Sequence, residues 1–561
     1  MDLRFKNKSR QKSGLIFMLQ NVKISAIMCN GDKMKKYNTI DLFAGAGGLS
    51  LGFLQTKKFK ISVAYEINPD MQETYKNNHK KTVLYDDVTQ ANYSELVKKY
   101  GKFDIVIGGP PCQGFSNANR QKNHAVNMNN MLVKEYMRAV IELQPMAFVM
   151  ENVSMLKSDV HRFYMDKDDI EIVKKYNIPY NYSEIVLLDK RFNFDGAINI
   201  VKDYDLVCNH IWNNKNYYTL NVIYKKSKNK KKLDKLLSDR KKQFISIAKE
   251  FNITTFDYIS KISQKAFNSI LDYYSGLINE DELINTIESA IMIQRMLNKA
   301  KEIFDNKIVV EEYKNNEDIV VKIKSFAVYD YLKSILGSEE NNYIINSDIL
   351  CATSFGVPQK RKRFVMIGIK KDICNNFSMP AGNFKEKNFR TVRDAIEDIQ
   401  DVEPVYSVDK DFGKRLEEKC NLNALAKRLR NSTVLYNHII TKTTPIAMER
   451  FKALKQGENF HTLDDSLKAT YTDPSRTQNT VYLRLNYDEP SGTVVNVRKS
   501  MWIHPVLDRA LSVREAARLQ TFPDSFRFFG SKDKQYQQVG NAVPPLLANA
   551  IAKHLVKLIE K

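Results

Sequence analysis

An α/β fold with a doubly wound, mostly parallel sheet is what the sequence predicts, and three observations carry the expectation. Short β-branched and aromatic runs recur along the first part of the chain, at Asn38 to Phe43, Ile61 to Tyr65, Thr82 to Tyr85 and Phe103 to Ile107, as in strands buried on both faces. Each run ends in residues suited to a ligand: the turn Ala44, Gly45, Ala46, Gly47, Gly48, then Glu66, then Asp87, then Gly108 to Pro111. Ligands of open α/β sheets bind at such strand ends. Finally, 561 residues with 43% hydrophobic content suffice for a sizeable core and two to four domains.

Taken in order, the glycine-rich turn leads into a helix beginning near Leu49 and lets backbone approach a ligand closely. Glu66 lies 19 positions after Gly47, placed to accept hydrogen bonds from ribose hydroxyls. Asp87 can accept from an adenine amino group while Val88 packs on the ring. The stretch FDIVIGGPPCQGFS, Phe103 to Ser116, is a buried strand broken by two glycines and two prolines, and it presents one thiol, Cys112. A free thiol has a pKa of about 8.5, so a nucleophilic role demands positive potential nearby. Asn117 to Asn130 reads as a polar loop able to close over substrate, Met131 to Leu143 as a helix, and Ala147 to Met150 as a strand leading to Glu151. Farther on, Gln359, Arg361 and Arg363 alternate and share one face of an extended segment.

The net charge of +22 favours a polyanionic partner, nucleic acid ahead of a membrane surface. Six cysteines without a CxxC pair provide no zinc or disulfide framework, and no apolar run reaches the ~18 residues of a membrane span. Residues 1–36 read as a disordered basic arm, with Met34 a candidate natural start.

These segments together resemble the DNA cytosine-5 methyltransferases of bacterial restriction-modification systems. The matching motifs are DLFAGAGG around Phe43, Pro111 to Ser116, the triplet Glu151-Asn152-Val153, Gln359-x-Arg361-x-Arg363, and QVGNAVPP from Gln538 to Pro545. The resemblance implies an S-adenosyl-methionine pocket built from Phe43 to Gly48, Glu66, Ile67, Asp87, Val88, Pro110, Leu132, Asn541 and Val543. It implies catalysis by Cys112, which adds to C6 of cytosine, by Glu151 at N3, and by Arg363 at O2, with Arg361 orienting the site. No metal is implied. Duplex DNA is the expected substrate, met by a monomer in the bacterial cytoplasm, with a cognate endonuclease acting on the same site without a stable complex. Ser116, Gln359, Arg476, Gln478, Arg484 and Arg498 are the candidate DNA contacts.

The implied layout is a core at 37–156, 325–370 and 530–561, and a small domain at 371–529 whose recognition region spans about 400–500. Glu151 and Gln359 are 208 positions apart, so residues 157–324 read as a mostly helical inserted domain. Within it, short strands and loops are expected to about Tyr224, and helices from Phe244 to Phe304. The charge run Lys225 to Lys242 reads as a solvated linker or a phosphate-binding strip. The helix within Leu511 to Gln520 is expected to brace the small domain. An RNA cytosine-5 methyltransferase and a catalytically silent DNA-binding relative are the rival readings.

Overall fold

The structure, a computed structural model, describes residues 36–111, 130–157, 162–253, 255, 257–471 and 473–560. Residues 1–35 of the basic arm, Cys112, Ser116 and the loop 117–129 lie outside the described residues.

A seven-stranded sheet organises the chain. Its strands are β1 (Tyr37–Leu42), β2 (Phe59–Tyr65), β3 (Val83–Tyr85), β4 (Ile105–Gly108), β5 (Ala147–Val153), β6 (Tyr343–Cys351) and β7 (Lys362–Lys370). They lie in the order β6-β7-β5-β4-β1-β2-β3. The first five run parallel and β7 is antiparallel to both β5 and β6.

Alternation along each strand explains why both faces are covered. Ile105, Ile107, Val149, Val365 and Ile367 pack on helix α1 (Gly48–Leu54) and the C-terminal helix Pro545–Ile559 through Leu49, Phe53, Leu547, Ile551 and Leu555. Ile40, Leu42, Val106, Phe148, Met150 and Phe364 pack the other way, on α3 (Asn130–Leu143) and the helix Val328–Leu336. Each such side chain contributes roughly 1.5–3 kcal/mol on burial. Helix α2 (Pro69–Asn78) follows β2, opened by Asn68, whose side chain accepts from the N–H groups of Asp70 and Met71.

The chain's distant ends meet at α1. A Cβ on Gly52 would lie 2.3 Å from Ala548 Cβ, so only glycine allows this approach. Asn549 Nδ2 then donates to Gly52 O at 3.0 Å. The stretch Lys532–Ile559 is long and apolar enough to cross a membrane, yet its apolar window is 61% buried inside the protein.

The inserted region holds strands at Arg162–Tyr164 and Asn181–Leu188, in the stretch expected to carry them, but that stretch also contains the helices Ala197–Val201, Tyr204–His210 and Asn214–Lys226. Ile319–Ala327 is the central strand of a four-stranded antiparallel sheet, flanked by Asn181–Leu188 on one side and by Val310–Asn315 and Arg162–Tyr164 on the other. Alternate residues Ile319, Val321 and Ile323 are buried against helices. This strand continues to Ala327, past the expected boundary at 324, because Phe326 joins the main core. The charge run also differs from a linker: it folds as α4 (Lys230–Asp239) and the start of α5 (Lys241–Glu250), with Leu233 and Leu237 buried in a helical cluster. Helix α4 packs on the helix Asn214–Lys226 and α5 on Tyr258–Tyr274, and these two helices in turn pack on α6 (Glu280–Asp305), whose start is fixed by a capping box between Asn279 and Glu282.

In the small domain, α7 (Val513–Leu519) is wholly buried, its arginines included. Arg514 donates to the carbonyls of Tyr436, Pro523 and Phe526. Arg518 pairs with Asp524 at 2.6 Å and with Asp398. The alternation of arginine with apolar residues thus braces the domain from within.

Candidate active site

The order of strands reverses between β1 and β4, and the chain leaves these neighbours toward opposite faces. That divergence opens a crevice at their carboxyl ends. Phe43 turns there with φ 59°, and Gly47 with φ 94°. A Cβ on Gly47 would meet His79 Nε2 at 2.2 Å, and one on Gly48 would meet Val543 O at 2.4 Å. Both glycines are therefore required by packing beneath and behind the turn.

Phe43, Ala44, Gly45, Ala46, Gly48, Asn541 and Val543 line one pocket with Asp41, Met71 and Gln538, and Gly109 and Glu151 form its far wall. Glu66 holds the rim. Its Oε2 accepts from Gly45 N–H and its Oε1 from Asn68 N–H, both at 2.8 Å. Burial raises its pKa and these two N–H donors oppose the rise. Ile67 beside it is 68% exposed, an apolar surface facing water. Asp87 accepts from Thr89 N–H and Oγ1–H through Oδ1. Val88 is buried in the core, Pro110 is buried and Leu132 is half-buried.

Glu151 lies in β5, two strand positions short of the end. The register sets Val365 opposite Glu151 and Arg363 opposite Val153, so Glu151 and Arg363 are diagonal neighbours on one face. Arg363 Nε reaches Glu151 Oε1 at 2.7 Å. Burial pushes the Glu151 carboxyl upward in pKa, while Arg363 and then Arg361 pull it down. Next to it, Asn152 Nδ2 donates to Pro110 O at 2.9 Å. A buried acid and the backbone two residues before Cys112 are thereby held together.

Arg361 and Gln359 stand elsewhere. Arg361 is fully buried and donates to Val494 O and Gly540 O, each at 2.9 Å. Gln359, also fully buried, donates to Gln520 Oε1 at 3.0 Å and accepts from Val494 N–H at 2.8 Å. These two side chains tie the segment before β7 to Val494, Gln520 and Gly540, and Gln359 is corrected from a DNA contact to a buried bracket. Arg484 is corrected likewise, since it is 5% exposed and donates to His504 O and Phe451 O while pairing with Asp508. Its guanidinium satisfies carbonyls that would otherwise be orphaned. Arg476 and Gln478 are exposed, and Arg498 pairs with Asp533 at 2.8 Å.

Two residues escaped the sequence reading. Asp41 faces α1 because Ile40 and Leu42 face the other way; it is fully buried, and Ser50 Oγ donates to it at 2.6 Å. Desolvation dominates and lifts its pKa to about 7. A charged residue at a helix-facing position of an apolar strand was the available signal. Asn152 was visible only as Glu151's neighbour.

With the geometry in view, comparison with known proteins settles the family. The profile of the C-5 cytosine-specific DNA methylases matches residues 37–318 and 320–557. The chain belongs to that family. This methylase is 26% identical over 523 residues to the type II methyltransferase M1.HphI of Haemophilus parahaemolyticus, covering 92% of this chain and 86% of that one. It is 26% identical over 559 residues to the DNA (cytosine-5-)-methyltransferase M.ApeKI of Aeropyrum pernix, covering 94% and 100%. A solved E. coli structure described as a prophage-encoded DNA modification methyltransferase shares the fold, with TM-score 0.52 and 20% identity over 94% of this chain and 100% of that one. The methylase is thus a DNA (cytosine-5-)-methyltransferase on an S-adenosyl-methionine-dependent methyltransferase fold.

Proposed function

We propose that the methylase modifies C5 of a cytosine within a specific duplex DNA sequence through a covalent bond from Cys112 to C6, with S-adenosyl-methionine as methyl donor, and so protects host DNA in a restriction-modification system. One observation carries the reading: the Glu151–Arg363 pair stands beside the backbone leading to Cys112.

The pocket suits an adenosyl ligand bearing positive charge. Glu66 keeps lone pairs for ribose hydroxyls beyond its two N–H donors, Ile67 offers a bare apolar side to a ring, and Asp41 adds a polar group to the pocket lining. When bound, S-adenosyl-methionine supplies an electrophilic methyl group. The residues of the chain make the cytosine able to accept it. The Cys112 thiolate forms a C–S bond to C6, which places the C5=C6 electron pair at C5. Glu151, its proton retained to higher pH by burial, holds that proton at N3 as charge develops there. Arg363 offers its guanidinium to O2 and keeps Glu151 oriented. Loss of the C5 proton to a base then expels the thiolate and restores the ring. The target must leave the helix to reach this site, which costs a few kcal/mol of stacking and pairing.

The test is covalent capture. A duplex carrying 5-fluorocytosine at the target should yield a denaturation-resistant adduct with the parent chain and none with Cys112→Ser. Bisulfite sequencing of DNA from expressing cells identifies the site. Absence of the adduct on the sequenced target, or equal modification by the variant, would refute the covalent route; modification of RNA in place of DNA would refute the substrate.

A further inference from the structure

We infer that the far end of the inserted domain is a second DNA-binding surface, which grips the phosphate backbone of the duplex away from the target base. The inference rests on the duplex-DNA reading above and adds a place to it.

The first observation is charge held on a fixed scaffold. Lys225, Lys226, Lys228, Lys231, Lys232 and Lys235 are all exposed, and none of their side chains forms an ion pair with a described residue. Leu220, Ile223, Leu233 and Leu237 of the helices Asn214–Lys226 and α4 are buried in one apolar cluster with Leu283, Ile287 and Ile291 of α6, so the lysines face solvent, with Asp234 and Asp239 exposed among them. The charge run is therefore an amphipathic surface.

A second observation concerns where these charges sit on their helices. Helix α4 begins Lys230-Lys231-Lys232 and α5 begins Lys241-Lys242 after Arg240, and neither has an acid in its first turn. Cations at a helix N-terminus oppose the macrodipole, each unfavourably by roughly 0.3–1 kcal/mol. Two successive helices thus carry the sign that local stability disfavours. A bound polyanion reverses the penalty, because unsatisfied N–H groups and ammonium groups then face phosphate together.

Placement decides which polyanion. The insertion leaves the core directly after β5, whose last turn carries Glu151 and Asn152, so its root stands on the side of the sheet that receives the target base. The carboxyl half of α6 packs on the insertion's own sheet through Ile293, Leu297 and Ile303, whereas its amino half packs on the basic helices through Leu283, Ile287 and Ile291. From Leu283 to Ile303 is twenty residues, about 30 Å at 1.5 Å per residue. One turn of B-DNA spans roughly 34 Å. The basic helices thus stand about one DNA turn along α6 from the insertion's own sheet, so a duplex has to extend past the target base to meet the lysines.

The experiment uses the full chain, the quadruple variant Lys228→Gln, Lys231→Gln, Lys232→Gln, Lys235→Gln, and two duplexes of about 14 and 50 base pairs centred on the target site. Circular dichroism checks that the variant is folded, as exposed positions should allow. The parent should bind the long duplex more tightly than the short one, with a steeper salt dependence. Each phosphate contact adds about 0.9 to the slope of log K against log salt. Loss of four contacts should flatten the long-duplex slope by about 3.6, which is roughly 100-fold in affinity between 50 and 200 mM salt. On the short duplex the two proteins should bind and methylate alike. Equal slopes for parent and variant on the long duplex would overturn the inference. Failure of the parent to methylate either duplex would instead strike the underlying reading of the substrate.

Discussion

Asp41 offers the sharpest quantitative test of the buried site. In the unfolded chain its carboxyl titrates near 3.8, and in the folded protein desolvation holds it at about 7, against the donated Ser50 hydrogen bond. Between those values the folded state keeps a proton that the unfolded state has released. Stability from this group is therefore full below the unfolded pKa and declines as pH rises toward 7, then stays level. At 1.36 kcal/mol per unit the three-unit gap amounts to about 4 kcal/mol. Asp41→Asn keeps the shape and the acceptor for Ser50 but cannot ionise. Its denaturant midpoint, measured from pH 5 to 8, should lack the decline and gain on the parent by about 3 kcal/mol across that range. The gain should persist in high salt, because desolvation rather than long-range charge is its source. Parallel midpoint curves for the two proteins would refute the assignment of a buried, proton-retaining Asp41.

Other substitutions separate chemistry from architecture. Glu151→Gln removes the proton donor while preserving size, and single-turnover methylation should slow by about 10²–10⁴ with S-adenosyl-methionine affinity, measured by calorimetry, unchanged. Gly48→Ala drives a Cβ toward Val543 O, 2.4 Å away; this overpacking should cost about 1–3 kcal/mol in thermal melts and weaken cofactor binding, since Val543 lines the pocket. Arg518→Met strands the buried carboxylate of Asp524 without its cation, while Asp398 keeps Arg430, which predicts a loss of about 3–5 kcal/mol in chemical denaturation. By contrast Lys175→Met, which breaks the exposed pair with Glu340, should change stability by less than about 1 kcal/mol.

The sequence alone determined whatever depends on local pattern. Strand runs ending in Gly48, Glu66 and Asp87 specify where the backbone must turn, because strand period and turn chemistry act over a few residues. The alternation Arg514, Glu515, Arg518 among apolar neighbours likewise spoke for a braced helix before any partner was known. The order of motifs identified the methyltransferase core on the same basis. Tertiary structure decided everything that depends on what lies opposite. Gln359, Arg361 and Arg363 share a face in sequence, yet only Arg363 meets Glu151; Arg361 donates to the carbonyls of Val494 and Gly540 and Gln359 accepts from Val494 N–H, more than a hundred residues on. Arg484 looked like a base reader until Phe451 and His504 closed over it. The lysine run became a scaffolded face only because neighbouring helices buried Leu233 and Leu237 in a shared apolar cluster. Long side chains carry no record of their partner, since burial and pairing are settled by chain segments brought together from far apart, and that information resides in the packed fold.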